Sequence, residues 1–200
     1  MKQLNWATLG CGVIANELAH ALSKEGRTLY SVANRTHEKA VAFAQKYGIS
    51  KVYDNIDDIF YDPDVDIIYI STPHNTHINY LRKALSNGKH VLCEKSITLN
   101  IAELDEAVSL AKENNVILAE AMTIYHMPVY KKLNEIIASG QLGRLNLIQV
   151  NFGSYKDYNM TNRFFSRKLA GGALLDIWSL LTFSYPLVLQ GNTNTSIVTG

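Results

Sequence analysis

The stretch Trp6-Ala7-Thr8-Leu9-Gly10-Cys11-Gly12-Val13-Ile14-Ala15 decides the fold. Trp6 to Leu9 reads as a short buried strand. Two glycines follow at once, and a helical pattern then runs from Val13 to Lys24, with Ile14, Leu18, Ala21 and Leu22 on one face. A strand that turns straight into a helix through Gly-x-Gly-x-x-Ala has a specific use. Gly10 permits the tight turn. Gly12 has no side chain, so a diphosphate can come close to the backbone. Ala15 is small where the helix meets the strand. The helix start also leaves N–H groups without intrahelical partners, at the positive end of the dipole, and both attract an anion. Small residues also occur in strand–helix turns that hold no ligand, so the rest of the chain must decide.

Outward from this turn the same unit repeats. Leu29 to Ala33 reads as a strand, His37 to Tyr47 as a helix, and Val52-Tyr53 as a short strand. Asp66 to Ser71 is a continuous apolar run, as expected of a strand covered on both faces. Pro73 ends it, and Asn75 is placed to cap a helix running to Asn87. His90 to Cys93 is the next strand, Asn100 caps a helix from Ile101 to Asn114, and Val116 to Glu120 is a further strand. Such alternation predicts an α/β chain: a doubly wound parallel sheet of the Rossmann type with right-handed crossovers. The pattern changes near residue 122. Pro128 to Ser139 reads as one more helix, Leu145 to Phe152 as an antiparallel strand, Tyr155 to Arg167 as a loop over a site, and Leu169 to Leu181 as a helix. Residues 1–122 are therefore expected to form the dinucleotide-binding domain. Residues 123–200 are expected to form part of an α+β domain with an antiparallel sheet.

Composition narrows the function. With 47% hydrophobic and 18% charged residues the 200-residue chain is expected to pack a core. A net charge of +1 without a basic run argues against nucleic acid or an anionic membrane as partner. No apolar run reaches the roughly 20 residues of a membrane span. Cys11 and Cys93 are too few for a disulfide framework, so a cytoplasmic protein with reduced thiols is expected. His20, His37, His74, His77, His90 and His126 show no metal-ligand spacing. The acidic residues Asp54, Asp57, Asp58, Asp62, Asp64 and Asp66 read as a solvated helix and loop.

The end of the second predicted strand bears on the cofactor. Dinucleotides without a 2′-phosphate usually meet a carboxylate there. Here the residues are Ala33-Asn34-Arg35-Thr36. Asn34 can hydrogen-bond a ribose hydroxyl without repelling a phosphate, and Arg35 can pair with one. The bland reading makes Arg35 a solvated residue at a helix start. The balance leans slightly to NADP over NAD.

Ser71-Thr72-Pro73-His74-Asn75-Thr76-His77 and Gly88-Lys89-His90-Val91-Leu92-Cys93-Glu94-Lys95 together resemble the Gfo/Idh/MocA oxidoreductases. Their pattern is Thr-Pro-x-x-x-His, then Gly-Lys-His-Val-x-x-Glu-Lys-Pro. The Gly10 loop, Glu120-Ala121-Met122 and the stretch from Leu169 to Ile177 are similar too, so the resemblance covers residues 4 to 180. It implies hydride transfer between NAD(P) and a hydroxyl-bearing carbon of a sugar, polyol or related diol. It also implies a second-domain sheet through which the chain forms a homo-oligomer. Lys95 falls on the lysine that meets the nicotinamide ribose and the substrate hydroxyl, and Asp176 on the substrate-side aspartate. Gly10, Gly12, Val13, Ile14, Asn34, Arg35, Ser71, Thr72, Pro73, Asn75, His77, Glu94 and Lys95 are the expected cofactor contacts. A lysine in this place suits the chemistry, because the hydroxyl proton must leave as the carbonyl forms.

Three features depart from the pattern. Ser96 stands where the family has proline, which would fix φ after Lys95. Trp178-Ser179-Leu180 follows Asp176-Ile177 where the family has Gly, any residue, then Tyr or His. Leu180 cannot transfer a proton, and Tyr125, His126 and Tyr158 are the candidate substitutes. Too few residues follow the boundary to complete the family's second domain, so the sequence is expected to be part of a longer protein or a shortened member. The alternative reading is therefore a catalytically silent or truncated nucleotide-binding member of the family.

Overall fold

The computed structural model describes residues 3–146, 155, 157–159 and 165–172. Six strands form one sheet: β1 (Trp6–Leu9), β2 (Ser31–Ala33), β3 (Lys51–Val52), β4 (Ile67–Ile70), β5 (His90–Cys93) and β6 (Leu118–Glu120). Their order is β3-β2-β1-β4-β5-β6 and every pairing is parallel. Thr8 at the centre pairs with Val32 on one side and Tyr69 on the other. The chain therefore builds outward from β1 in one direction, then returns to build outward in the other. The order reverses between β1 and β4, and that is where open parallel sheets bind ligands.

The helices lie in two groups. α1 (Val13–Lys24) and α2 (His37–Tyr47) bury Ala15, Ala19, Leu22, Ala40 and Phe43 with Leu29 and Val32. α4 (His77–Ser86) and α5 (Ile101–Glu113) bury Leu81, Ala84, Leu85, Ala107 and Ala111 with Leu9, Ile68, Ile70 and Val91. On β2 Val32 belongs to the first cluster and the next residue, Ala33, to the second, as the alternation of a strand requires. A short α3 (Asp58–Tyr61) adds Ile59 and Phe60 to the larger cluster.

The structure shifts several expectations. The buried face of α1 is Ala15, Ala19 and Leu22, while Ile14 is 44% exposed. Two alanines let the helix lie close to the sheet, and a larger residue in their place would hold it away. β2 begins at Ser31 and β6 at Leu118, although just before them the Tyr30 N–H donates to the Trp6 carbonyl and the Ile117 carbonyl accepts from the Val91 N–H, both at 2.8 Å. Asn75 does not cap α4. It lies inside a 3-10 turn over His74–Thr76, and α4 starts at His77 with Thr76 as its N-cap. Asp62 is not solvated: it is buried, and its Oδ2 accepts hydrogen bonds from Tyr53 Oη at 2.5 Å and Lys51 Nζ at 2.6 Å. These bonds keep its carboxyl below the usual range although burial, the largest single influence, pushes the other way.

The chain divides into two compact units, residues 1–121 and 122–200. In the second, a 3-10 turn over Thr123–His126 leads into α6 (Pro128–Ala138), where Pro128 occupies the first turn. Tyr125 and Tyr130 meet edge to face at 5.3 Å. The expected strand 145–152 is not formed at 145–146 and otherwise lies outside the described residues. Of the expected helix 169–181, Leu169 ends a 3-10 turn over Arg167–Leu169 and residues 170–172 are not helical; its remainder, with Asp176, Trp178 and Leu180, lies outside the described residues. No helix among the described residues is long and apolar enough to cross a membrane.

α5 follows the turn that carries Lys95, and its start is fixed by side chains. Asn100 Oδ1 accepts from the N–H of Glu103 at 3.0 Å, and Glu103 Oε2 accepts from the N–H of Leu99 at 3.0 Å. Asn100→Ala should cost about 1 kcal/mol of folding free energy, read from the urea midpoint at unchanged slope.

Candidate active site

The turns at the carboxyl ends of β1, β2, β4 and β5 converge on one edge of the sheet. At the centre, Gly10 has φ of +105°, and its N–H donates to the carbonyl of Ala33 at 2.9 Å. A Cβ there would lie 2.9 Å from Ser71 Oγ and 3.0 Å from the Ser71 carbonyl oxygen. Ser71 in turn donates its N–H to the carbonyl of Leu9 at 3.0 Å. Only glycine satisfies both the left-handed conformation and this backbone approach. Gly12 has the opposite surroundings. A Cβ built on it meets no atom within 4 Å. It is the N-cap of α1, which has no side-chain cap hydrogen bond and no acidic residue in its first turn, in contrast to α5. A helix start with open space before it and no capping side chain fits a diphosphate. Val13, 76% exposed, and Ile14 stand at the mouth.

At the end of β2, Asn34 Nδ2 donates to the carbonyl of Thr36 at 2.9 Å, which fixes its amide plane, and Arg35 is exposed. A hollow between α1 and α2 is lined by Cys11, Asn16, Lys39, Phe43 and Lys46. Asn16 Oδ1 accepts from both Lys46 Nζ and Tyr47 Oη at 2.8 Å. Burial pushes the Cys11 thiol up, against the pull of the Lys39 ammonium. Sequence reading missed Lys39. Its spacing of four from Arg35, across the start of α2, was the available signal.

The turn after β5 is tied down on several sides. Glu94 donates its N–H to the carbonyl of Ile70 at 2.8 Å, which seats it beside β4. Tyr69 Oη donates to Glu94 Oε1 at 2.5 Å, and the Lys95 N–H donates to Oε2 at 3.3 Å. Burial, together with the carboxylate of Glu94, pushes the Tyr69 phenol far up, so it stays a donor at every working pH. Glu120 at the end of β6 accepts the N–H of Ile97 at 2.9 Å. His77 is fully buried. Its Nε2 lies 2.9 Å from the carbonyl oxygen of Thr72, and its Nδ1 lies 3.0 Å from that of Ser96 and 3.3 Å from that of Ile97. Thr72 Oγ1 and Thr76 Oγ1 share a hydrogen bond at 2.8 Å, and Thr76 Oγ1 also donates to the Pro73 carbonyl at 2.6 Å. The turn after β4 is thus rigid too. Burial pushes the Cys93 thiol well up and keeps it neutral.

The structure therefore gathers Gly10, Gly12, Val13, Ile14, Asn34, Arg35, Ser71, Thr72, Pro73, Glu94 and Lys95 along one sheet edge. Asn75 sits in the adjoining 3-10 turn, and His77 lies beneath it in the interior. Tyr69 was missed because its run, Asp66 to Ser71, reads as apolar; the one residue there with a polar tip was the available clue.

Comparison with known proteins gives the family. Residues 4–122 match the model of an oxidoreductase family with an NAD-binding Rossmann fold, and residues 130–181 match the GFO/IDH/MocA C-terminal domain. The chain belongs to the Gfo/Idh/MocA oxidoreductases. Among curated members of this family, trans-1,2-dihydrobenzene-1,2-diol dehydrogenase of Xenopus tropicalis is 32% identical over 195 residues, covering 96% of this chain and 58% of that protein. The enzyme of that name from Homo sapiens is 35% identical over 177 residues, covering 87% of this chain and 52% of its own. The chain thus spans a little over half the length of these relatives. Among solved structures, a 3-ketoreductase of Actinomadura kijaniata in complex with NADP matches at a TM-score of 0.66 and 26% identity, over 72% of this chain and 46% of its own. An NAD-binding oxidoreductase of Klebsiella pneumoniae matches at 0.65 and 27%, over 71% and 40%.

The two loop glycines should separate folding from binding. Gly10→Ala should lose about 1 kcal/mol or more of stability in urea unfolding. Gly12→Ala should unfold like the parent, yet weaken NAD(P)H binding about tenfold or more in a fluorescence titration, because its methyl occupies the diphosphate space.

Proposed function

We propose that this chain carries the cofactor-binding and catalytic-lysine part of an oxidoreductase that prefers NADP and acts on a hydroxyl-bearing carbon of a sugar, polyol or related diol. The observation that carries the reading is the shared sheet edge. An open, uncapped helix start after Gly12 and the Lys95 turn occupy carboxyl ends on either side of the β1–β4 crevice. The dihydrodiol dehydrogenases among its relatives support a diol-type substrate.

The nicotinamide ring, when bound, supplies the acceptor or donor of hydride. The chain's own residues do the rest. The N–H groups at the start of α1 and the bare Gly12 hold the diphosphate. Asn34 meets the adenosine ribose, and Arg35 with Lys39 offers two cations to a 2′-phosphate, which supports NADP over NAD. Ser71, Thr72 and Pro73 line the crevice beside Gly10. Lys95 stands at the reacting end, where its amine, in the neutral form, can accept the hydroxyl proton that leaves as the carbonyl forms; in the reverse direction the resulting ammonium can donate that proton to the carbonyl oxygen. Glu94, gripped by Tyr69, sets the course of this turn. Asp176 is assigned to the substrate hydroxyls from the resemblance alone.

Two measurements test this reading on the full chain. Lys95→Ala should abolish NADP-linked oxidation of trans-diols and polyols, with NADPH still bound; turnover at the parent rate in that variant would refute the role of the lysine. Arg35→Ala should weaken NADPH about tenfold and NADH little, since a charge-assisted contact to phosphate is lost in one case only. Tight NADPH binding without turnover of any such substrate would favour the catalytically silent reading, which Leu180 motivates.

A further inference from the structure

The imidazole of His77 holds an unusual position. It projects from the first residue of α4 into the interior, with no exposed surface. On one edge it meets the carbonyl oxygen of Thr72, in the turn after β4; on the other it meets the carbonyl oxygens of Ser96 and Ile97, in the turn after β5. These two turns hold Thr72 and Lys95, and β4 and β5 themselves stop at Ile70 and Cys93. Beyond those residues the ladder no longer sets the distance between the turns.

Carbonyl oxygens only accept hydrogen bonds, and a neutral imidazole has one N–H. Burial pushes the His77 imidazole down, against the three carbonyls and the carboxylate of Glu120, so the ring is neutral at neutral pH. The ring of His74 packs on it edge to face at 5.6 Å. The neutral ring therefore donates to one turn only; at its other nitrogen a lone pair faces a carbonyl oxygen, which resists closer approach, so the ring ties one turn and fends off the other. Both turns are spaced by one rigid ring.

We propose that His77 is a positioning residue that sets the spacing between the Thr72 turn and the Lys95 turn, and hence between the bound nicotinamide and the reacting amine. The role goes beyond the cofactor contact read from the sequence. It rests on the functional reading above in taking Lys95 as the reacting amine, and it adds that the bound nicotinamide lies against the Thr72 turn. Catalysis by positioning is sensitive to such spacing, since misplacement by about 1 Å can cost about a hundredfold in rate.

The test uses the full chain and the variants His77→Phe and His77→Gln. Phe keeps a flat ring but no donor; Gln keeps one donor without the rigid ring. NADPH affinity, kcat and KM for the diol, and the thermal midpoint are measured for each. The proposal expects kcat to fall about tenfold to about a hundredfold in His77→Phe, with NADPH affinity and KM changed less than about threefold, and His77→Gln to recover part of the loss. Unchanged kcat, or a loss confined to NADPH affinity, overturns it. If neither variant folds, nitrogen-15 NMR of the histidine-labelled parent decides. A His77 ring N–H protected from exchange and hydrogen-bonded to a carbonyl supports the spacer, and a freely exchanging one overturns it. That spectrum needs neither cofactor nor substrate, so a parent that binds no dinucleotide defeats the functional reading while the ring's structural role is judged separately.

Discussion

Everything at the sheet edge depends on the contact between two backbones, Gly10 and Ser71. The missing side chain of residue 10 lets the turn after β1 lie against the turn after β4, and the Ser71 N–H bonded to Leu9 holds them there. That contact closes the floor of the crevice at the point where the strand order reverses. The space it leaves lies above Gly12, facing the bare start of α1. A side chain at residue 10 would push β1 and β4 apart, and the pairing of Leu9 with Ile70 would be the first to suffer.

Around that floor the two remaining turns are built differently. The turn after β2 carries the amide contact of Asn34 with Thr36 and is bordered by cations on α2. The turn after β5 is held by Tyr69, Glu120 and His77, each from a different element. A rigid end is needed where a proton and a hydride must pass over short distances. Buried polar groups that are all bonded give such rigidity, because each has no alternative partner in the interior.

Much of the first domain was legible because the signals there are local. The period of apolar residues placed α1 over Val13–Lys24 and α2 over His37–Tyr47 with the bounds observed. The Gly-x-Gly turn foretold both the left-handed Gly10 and the open Gly12, and Asn100 was read correctly as a cap. Local signals failed where a distant partner decides. Asp62 looks like one of several solvated acids, yet Tyr53 and Lys51 take it inside. Asn75 looks like a cap, yet the Thr76 hydroxyl turns the backbone through a 3-10 turn first. Tyr69 and His77 act across strands, on residues 25 and 19 positions away, and no periodicity encodes such pairs. Asp176 lies outside the described residues and rests on family likeness alone.

The two thiols make the glycine loop accessible to chemistry of another kind. Cys93 is sealed in the core, whereas Cys11 stands between the two glycines and borders the hollow with Lys39. A small alkylating dye would therefore attach at Cys11, within the glycine loop. Such an adduct would turn the loop into an optical reporter of occupancy, or into a plug, according to its size.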